Sequence, residues 1–163
     1  MNISVATQEQ LPIIRDLAFR IWPVTYGHIL SKDQFDYMME MMYSLSSLEK
    51  QLVHPKPFLL VEDEGQYIGF ASYEINWEHT SKTKIHKLYV LPSIQGKGIG
   101  KALIQYLRDI AQKAENTILV LTVNRFNSAK EFYLKQGFHI VEEKQFQIGN
   151  GYIMDDYVME LPI

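Results

Sequence analysis

The spacing of apolar residues predicts five helices. Between residues 11 and 22 apolar side chains recur every three or four positions, the period of a helix with one buried face, and Pro23 is predicted to end it. A second helix is predicted to begin after Ser31, and a third to cover residues 45–53. The segment His54-Pro-Lys-Pro57 is expected to break this helical run.

Two further helices are predicted in the second half of the chain. Apolar residues from Ile99 to Ala114 again step by three and four, which indicates a long amphipathic helix. Asn127 is a favourable N-terminal cap for a last, shorter helix, and Gly137 is placed to end it.

Seven segments rich in β-branched and aromatic residues are typical of strands. The turn residues at 63–65 and 149–151 predict that the strands on either side of each turn pair as hairpins. Because strands alternate with helices, we expect a single α/β (α+β) domain over residues 1–163, with a mixed sheet and helices on both faces. The predicted strands cover residues 2–6, 58–62, 66–76, 84–91, 117–124, 138–148 and 152–161.

Composition excludes several classes of function. The 163 residues suffice for one domain with a core. A formal net charge of -3 offers no basic face for nucleic acid. No apolar run approaches the ~18 residues of a membrane span, and the N-terminus has no basic-then-apolar signal pattern. We therefore expect a cytoplasmic protein that binds neither nucleic acid nor membrane.

The chain contains no cysteine. This excludes disulfides, cysteine metal ligands and a cysteinyl acyl-enzyme intermediate. The histidines show no helical i, i+4 pairing, so no metal is expected either. Any acyl transfer should therefore proceed by direct attack of the acceptor on the donor.

The stretch Gln95-Gly-Lys-Gly-Ile-Gly-Lys101 joins a predicted strand to the long helix. Backbone N–H groups at such a helix N-terminus favour an anion, most often a phosphate, and Lys97 and Lys101 add positive charge. A Walker loop would require Ser or Thr at the position of Ala102, and the dinucleotide fingerprint would require glycine at Lys101 or Leu103. The alternative interpretation is a glycine-rich turn without a ligand.

The pattern Gln95-x-x-Gly-x-Gly resembles the acyl-CoA loop of the GCN5-related N-acetyltransferase (GNAT) family. The stretch Asn127-Ser-Ala-Lys-Glu-Phe-Tyr-Leu-Lys-Gln-Gly-Phe138 is similar to that family's second signature, Asn-x-x-Ala-x-x-Phe-Tyr-x-x-x-Gly-Phe. The order of elements also matches over nearly the whole chain. Residues 21–27 and 42–44 resemble the polyamine-acetylating branch. The resemblance implies the GNAT fold, with a mostly antiparallel central sheet of about seven strands, and acetyl-CoA-dependent N-acetyltransferase activity.

The resemblance also assigns a donor site. The amides of residues 96–101 would grip the diphosphate of acetyl-CoA, the expected co-substrate. The pantetheine arm would add along the preceding strand by main-chain bonds, Asn127 would reach the pantetheine, and Lys130 would meet a phosphate. The expected donor-binding residues are Leu88, Tyr89, Val90, Gln95, Gly96, Lys97, Gly98, Ile99, Gly100, Lys101, Asn127 and Lys130.

Tyr133 matches the tyrosine of the second signature and is the expected partner of the leaving sulfur. A phenol with an unperturbed pKa of about 10 keeps its proton at pH 7 and can donate it to a developing thiolate. The alternative is a tyrosine that only packs beside Phe132.

The general base is left open among three residues. Alternate residues of the strand before the loop should share one face. His86 lies where some family members carry a catalytic histidine, whereas the glutamate common two residues earlier is replaced by Lys84. Glu74 and Glu78 are the alternatives to His86.

The acceptor is expected to be the primary amine of a small molecule. Trp22, Tyr26, Tyr73 and Trp77 could line its pocket, because aromatic faces attract cationic amines, although each also suits the core. Lys82, Lys84 and Lys87 could form a solvated face or could favour an acidic acceptor, which cuts against a polyamine. A non-catalytic acyl-CoA-binding or regulatory module and a protein or peptide N-acetyltransferase are the alternatives, and a homodimer is possible.

Overall fold

The structure, a computed structural model, describes residues 1–53 and 56–163, so part of the predicted break at 54–57 lies outside the described residues. The helices are α1 (Leu11–Tyr26), α2 (Lys32–Tyr43), α3 (Leu45–Val53), α4 (Ile99–Lys113) and α5 (Ala129–Lys135). The strands are β1 (Asn2–Val5), β2 (Phe58–Asp63), β3 (Gln66–Glu74), β4 (Lys82–Val90), β5 (Ile118–Asn124), β6 (His139–Gly149) and β7 (Tyr152–Pro162). No helix in these ranges is long and apolar enough to cross a membrane.

The strands form one sheet in the order β1-β2-β3-β4-β5-β7-β6. Only β4 and β5 pair in parallel, and the other neighbours are antiparallel. Helices α1 to α3 pack on one face and α4 and α5 on the other, with a core of aliphatic and aromatic side chains on both sides. The predicted mixed, mostly antiparallel sheet is confirmed.

The parallel pair separates after four residues. Residues 82–85 of β4 pair with 118–121 of β5, and no pairing between the two strands continues beyond that point. The remaining residues of β4 pair with β3 alone, and those of β5 with β7 alone. Two strand edges with unpaired backbone groups therefore face each other across a wedge-shaped opening in the middle of the sheet.

A β-bulge lies where β4 leaves β5. Ser72 pairs with Lys87, but the next residue of β3, Tyr73, pairs with Ile85. His86 is therefore an extra residue on β4, which bends the strand and increases its twist.

The bulge also changes which side chains share a face. Lys84 pairs with Glu74, and Lys87 pairs two residues earlier on the same face of β3. Lys84 and Lys87 are consequently on one face, and Leu88 is on the other. The prediction that alternate residues of β4 share one face across this region is wrong, because the extra residue resets the alternation.

Helix α1 continues past Pro23 and ends at Tyr26, so the prediction that Pro23 ends it is wrong. A proline inside a helix costs ~3 kcal/mol or more, because it removes a hydrogen bond and crowds the preceding turn. Here Trp22 and Tyr26 are 2% and 6% exposed, and their burial offsets that cost. The additional turn carries Tyr26 to the opening between β4 and β5.

The loop between β3 and β4 has the predicted length but lies two residues earlier in the chain, since β3 ends at Glu74 and β4 begins at Lys82. Asn76 adopts a left-handed backbone with φ 51° and is fixed by Asn116. The Asn76 N–H donates to Asn116 Oδ1 (2.9 Å), and Asn116 Nδ2 donates to Asn76 Oδ1 (2.6 Å). These bonds fix the turn that carries Trp77.

Replacing Pro23 with alanine should stabilise the protein, because it restores a backbone donor inside α1 at an exposed position. We expect the free energy of unfolding to rise by about 1–2 kcal/mol, measured by urea denaturation. Pro12→Ala is the matched control, since a proline in the first turn of the same helix removes no intrahelical bond. An equal gain from both variants would contradict this account.

Candidate active site

A cleft of about 560 Å³ occupies the opening between β4 and β5. This volume is in the range of pockets for small molecules and cofactors. Its walls come from the end of α1, β4, the loop at 94–101, the end of β5 and the start of α5. Of the predicted donor-binding residues, Leu88, Tyr89, Val90, Gln95, Gly96, Gly98, Ile99, Gly100, Lys101 and Asn127 line it, whereas Lys97 and Lys130 do not.

The loop before α4 presents the helix N-terminus to this cleft. Gly96 and Gly98 have φ of 85° and 82°, in the left-handed region that favours glycine. An added Cβ at either position would meet nothing within 4 Å, so backbone conformation rather than packing requires glycine there. Gly98 directly precedes α4, and no side chain caps the first turn. The free N–H groups of that turn are therefore available to an anion.

At Gly100 glycine is required by close packing rather than by backbone conformation, and this packing joins the two predicted signatures. A Cβ at Gly100 would lie 2.9 Å from Cζ of Phe132, so the absent side chain lets α5 pack against the first turn of α4. Gln95 ties the loop to the preceding strand, because its Nε2 donates to the Val90 carbonyl (3.3 Å). The anion site and Tyr133, the residue after Phe132, are thus held by one packed unit.

Tyr133 lines the cleft and is only 7% exposed. Burial raises its pKa above the usual value, and the neighbouring Tyr26 raises it further. The hydroxyl therefore carries its proton at neutral pH. It makes no hydrogen bond within residues 1–53 and 56–163, so it is available to a ligand.

A hydrogen-bonded group of side chains crosses the cleft beside Tyr133. The hydroxyls of Tyr26 and Tyr89 are 3.0 Å apart, and Asn127 Nδ2 donates to the Tyr26 oxygen (3.4 Å). Asn127 Oδ1 accepts from the Ala129 N–H (2.9 Å). Asn127 therefore supports the start of α5 as predicted, although Ser128 is the residue that directly precedes the helix.

His86, in the bulge, lines the cleft and contacts Glu74. Its Nε2 is 3.0 Å from Glu74 Oε2. Burial lowers the pKa of His86 to about 4, and the charges of Lys56 and Lys87 add to this, although the bond to Glu74 opposes it. A neutral ring that donates from Nε2 to Glu74 leaves Nδ1 free to accept a proton.

The predicted acceptor residues divide into two groups. Tyr26 lines the cleft, whereas Trp22, Tyr73 and Trp77 do not. Trp22 is buried in the core, with its ring centroid 4.3 Å from that of Tyr26. Trp77 lies over Lys84, whose Nζ is 4.7 Å from the ring centroid.

Lys130, predicted to meet a phosphate, instead lies over another ring. Its Nζ is 5.2 Å from the centroid of the Tyr157 ring and 3.8 Å from a carboxylate oxygen of Glu131. Among the described residues, no group of three or more histidine, aspartate or glutamate side chains is arranged to hold a metal ion.

Sequence reasoning assigned no role to Asp156 of β7. This residue is 8% exposed, and its Oδ1 has no hydrogen-bond partner in the described part of the chain. Burial raises its pKa to about 6. Asp156 pairs with Asn124 at the end of β5. The only signal in the sequence is a pair of adjacent aspartates, Asp155 and Asp156, within the last strand, and it does not reveal which of them is buried.

Known proteins with a similar sequence or structure are N-acetyltransferases. The spermidine N(1)-acetyltransferase of Thermoplasma acidophilum is 28% identical over 161 residues, covering 95% of this chain and 96% of that protein. The crystal structure of the PaiA N-acetyltransferase of T. acidophilum in complex with coenzyme A superposes with a TM-score of 0.82 at 26% identity, covering 100% of both chains.

A third relative is similar over a shorter segment. The uncharacterized N-acetyltransferase MJ1207 of Methanocaldococcus jannaschii is 37% identical over 93 residues, covering 54% of this chain. This chain spans only 40% of the length of MJ1207. Residues 11–138 match the Acetyltransferase (GNAT) family, a segment that contains both predicted signatures. The chain therefore belongs to the GNAT acetyltransferase family.

Proposed function

We propose that this protein is an acetyl-CoA-dependent N-acetyltransferase that acetylates the primary amine of a small molecule by direct attack. The observation that carries this proposal is the cleft between β4 and β5, which has the N-terminus of α4 at one end and the Tyr133 hydroxyl beside it. The similarity to a spermidine acetyltransferase over nearly the whole chain supports a small amine as the acceptor.

The donor would bind through the backbone. Amides of residues 96–101 hold the diphosphate at the start of α4, where the helix dipole favours negative charge. The β4 edge at 87–90 has no partner on the β5 side, so it can form main-chain hydrogen bonds with the amides of the pantetheine arm. The complex of the PaiA enzyme with coenzyme A supports this assignment.

The reaction needs one proton donor and one proton acceptor. The acceptor nitrogen attacks the thioester carbonyl, and the C–S bond then breaks as the amide forms. Tyr133 donates its proton to the departing sulfur, so that CoA leaves as the thiol. The nitrogen loses a proton to His86 Nδ1, directly or through water, while Glu74 fixes the ring from the other side.

A panel of amines and peptides tests this proposal directly. Because the chain has no cysteine, a thiol-reactive dye would report released CoA without protein background. We expect CoA release with small primary amines. Release with peptides alone would indicate a protein or peptide N-acetyltransferase, and tight acetyl-CoA binding without release from any acceptor would indicate a regulatory module.

Gly98→Val should abolish donor binding. A β-branched residue is strained at a φ of 82°, so the amides at the start of α4 would turn away from the diphosphate. We expect at least a tenfold weaker affinity for CoA by calorimetry. Gly65→Val is the matched control, since Gly65 has a φ of 76°, similar open space and a position in the β2–β3 turn. Equal affinities in the two variants would mean that the loop does not bind the donor.

Tyr133→Phe should remove the proton donor and leave the packing intact. We expect kcat to fall by about 10²-fold or more, while the affinity for acetyl-CoA changes little. Tyr106→Phe, on α4 and outside the cleft, should leave both values unchanged. If Tyr133→Phe has an unaltered kcat, Tyr133 only packs beside Phe132.

His86 should make stability depend on pH. The unfolded ring takes up a proton near its ordinary pKa of 6.5, but the folded ring stays neutral until about pH 4, so stability is lost as pH falls between these values. His86→Gln should remove part of this loss, on the order of 1–2 kcal/mol at pH 4.5. The free energy of unfolding from pH 7 to pH 4.5 measures it, with exposed His139→Gln as control. Parallel curves for wild type and His86→Gln would contradict a neutral His86.

A further inference from the structure

Asp156 is a buried carboxylate without a counter-ion. It is 8% exposed, its Oδ1 has no hydrogen-bond partner among residues 1–53 and 56–163, and no cationic group in those ranges lies within 4.0 Å. An unpaired buried carboxylate costs far more than a neutral group in the same place. Because Asp156 Oδ1 finds no donor in the described residues, the charge points to a cation that binds from outside.

The charged groups around Asp156 do not supply that cation. Lys84 on β4 is near enough to lower the Asp156 pKa, but it forms no ion pair with Asp156. Lys144 pairs with Asp156 across β6 and β7, but its Nζ lies 5.3 Å from the centroid of the Phe146 ring. The adjacent Asp155 adds negative charge, so it raises the Asp156 pKa further.

Lys84 is a buried cation that forms no ion pair with the described residues. It is 9% exposed, and burial lowers its pKa, although the charges of Asp156, Glu78 and Glu74 oppose this. Its Nζ lies over the Trp77 ring, and no carboxylate of the described residues is within salt-bridge distance of it. The turn that holds Trp77 there contains Asn76 and Glu78, whose φ angles are 51° and 53°. Strained backbone of this kind is typical of functional sites.

Both charges lie on the face of the sheet opposite α4 and α5. Lys84 pairs with Val120, and Asp156 pairs with Asn124, four residues further along β5. Because side chains alternate between the two faces of a strand, Lys84 and Asp156 lie on the same face. Burial raises the pKa of Tyr26, which lines the donor cleft, and the Asp156 charge raises it further. A ligand between Lys84 and Asp156 would therefore approach the thioester from the side opposite the donor.

We propose that Asp156 binds the ammonium group of the acceptor and Lys84 binds a carboxylate of the same molecule, so that the acceptor is an α-amino acid. This inference rests on the proposed acetyltransferase function. A zwitterion satisfies both unpaired charges at once. A polyamine would satisfy Asp156, but its second cation would be repelled by Lys84.

The test compares each of the twenty common L-amino acids with its decarboxylated amine, and with spermidine, in the CoA-release assay. We expect wild-type protein to have at least a tenfold higher kcat/KM for one or more amino acids than for the matching amine. Lys84→Met keeps the length of the stem and should remove that preference while turnover of the amine persists. No release with any amino acid, or a higher kcat/KM for spermidine, would overturn the proposed acceptor class.

Asp156→Asn tests the ammonium site separately. We expect kcat/KM to fall at least 100-fold for amino acid and amine alike, while the melting temperature at pH 7 rises by a few degrees because an unpaired buried charge is removed. Asp155→Asn is the neighbouring control; it loses an exposed ion pair with Arg125 and should keep wild-type kcat/KM.

Three results separate the possible failures. A kcat/KM within threefold of wild type in Asp156→Asn would overturn the role of Asp156, and so would a lower melting temperature, which indicates a purely structural carboxylate. Calorimetry with acetyl-CoA should give the wild-type affinity in every variant of this series. If wild-type protein itself does not bind acetyl-CoA, the proposed function fails, and this inference fails with it.

Discussion

The separation of β4 from β5 is the constraint on which the rest of the structure depends. Two parallel strands in the middle of a sheet normally satisfy each other's backbone groups along their whole length. Here the pairing stops after residues 82–85 and 118–121, and each strand keeps only its outer neighbour. The cost of the unpaired edges makes the opening unfavourable unless a ligand forms those hydrogen bonds. A molecule with amides along an extended chain suits such an edge, which is why the gap itself indicates the kind of ligand.

The bulge at His86 maintains this opening and also determines which side chains of β4 reach it. By adding one residue to β4, it bends the strand away from β5 and reverses which side chains face each helix layer. His86 is the extra residue of the bulge, and it reaches both the cleft and Glu74. Lys84, two residues earlier, lies over the Trp77 ring.

Local sequence signals predicted the donor half of the site and much of the fold. Gly96 and Gly98 could be recognised because each has a left-handed backbone, which is a local condition. Gly100 is required instead by the close approach of Phe132 from α5. Both hairpins and their turns follow from similarly local chemistry. The spacing within the second signature also predicted Tyr133 as a site residue, since it is only six residues after Asn127, where the signature begins.

The remaining features depend on contacts between distant parts of the chain. Pro23 was expected to end α1, and only the burial of Trp22 and Tyr26 against other elements explains why it does not. The bulge is a mismatch between two strands, so the sequence of β4 alone does not contain it. Asp156 lies 72 residues after Lys84, and its importance appears only when β7 is placed beside β5.

The energetics of the central sheet separate residues that hold the fold together from residues that serve the site. Most of the sheet is covered by aliphatic and aromatic side chains that stabilise it simply by burial. Lys87, with a pKa that burial lowers to about 8, is a buried charge that has been compensated: its Nζ donates to Gln51 Oε1 (2.6 Å) and lies over the Phe58 ring. Among the described residues, Asp156 Oδ1 has no hydrogen-bond partner, and Lys84 lies over the Trp77 ring but forms no ion pair. The fold therefore compensates Lys87 but leaves Asp156 and Lys84, which carry opposite charges, without an ion pair on the same face of the sheet. This arrangement is expected when the missing partner is a ligand.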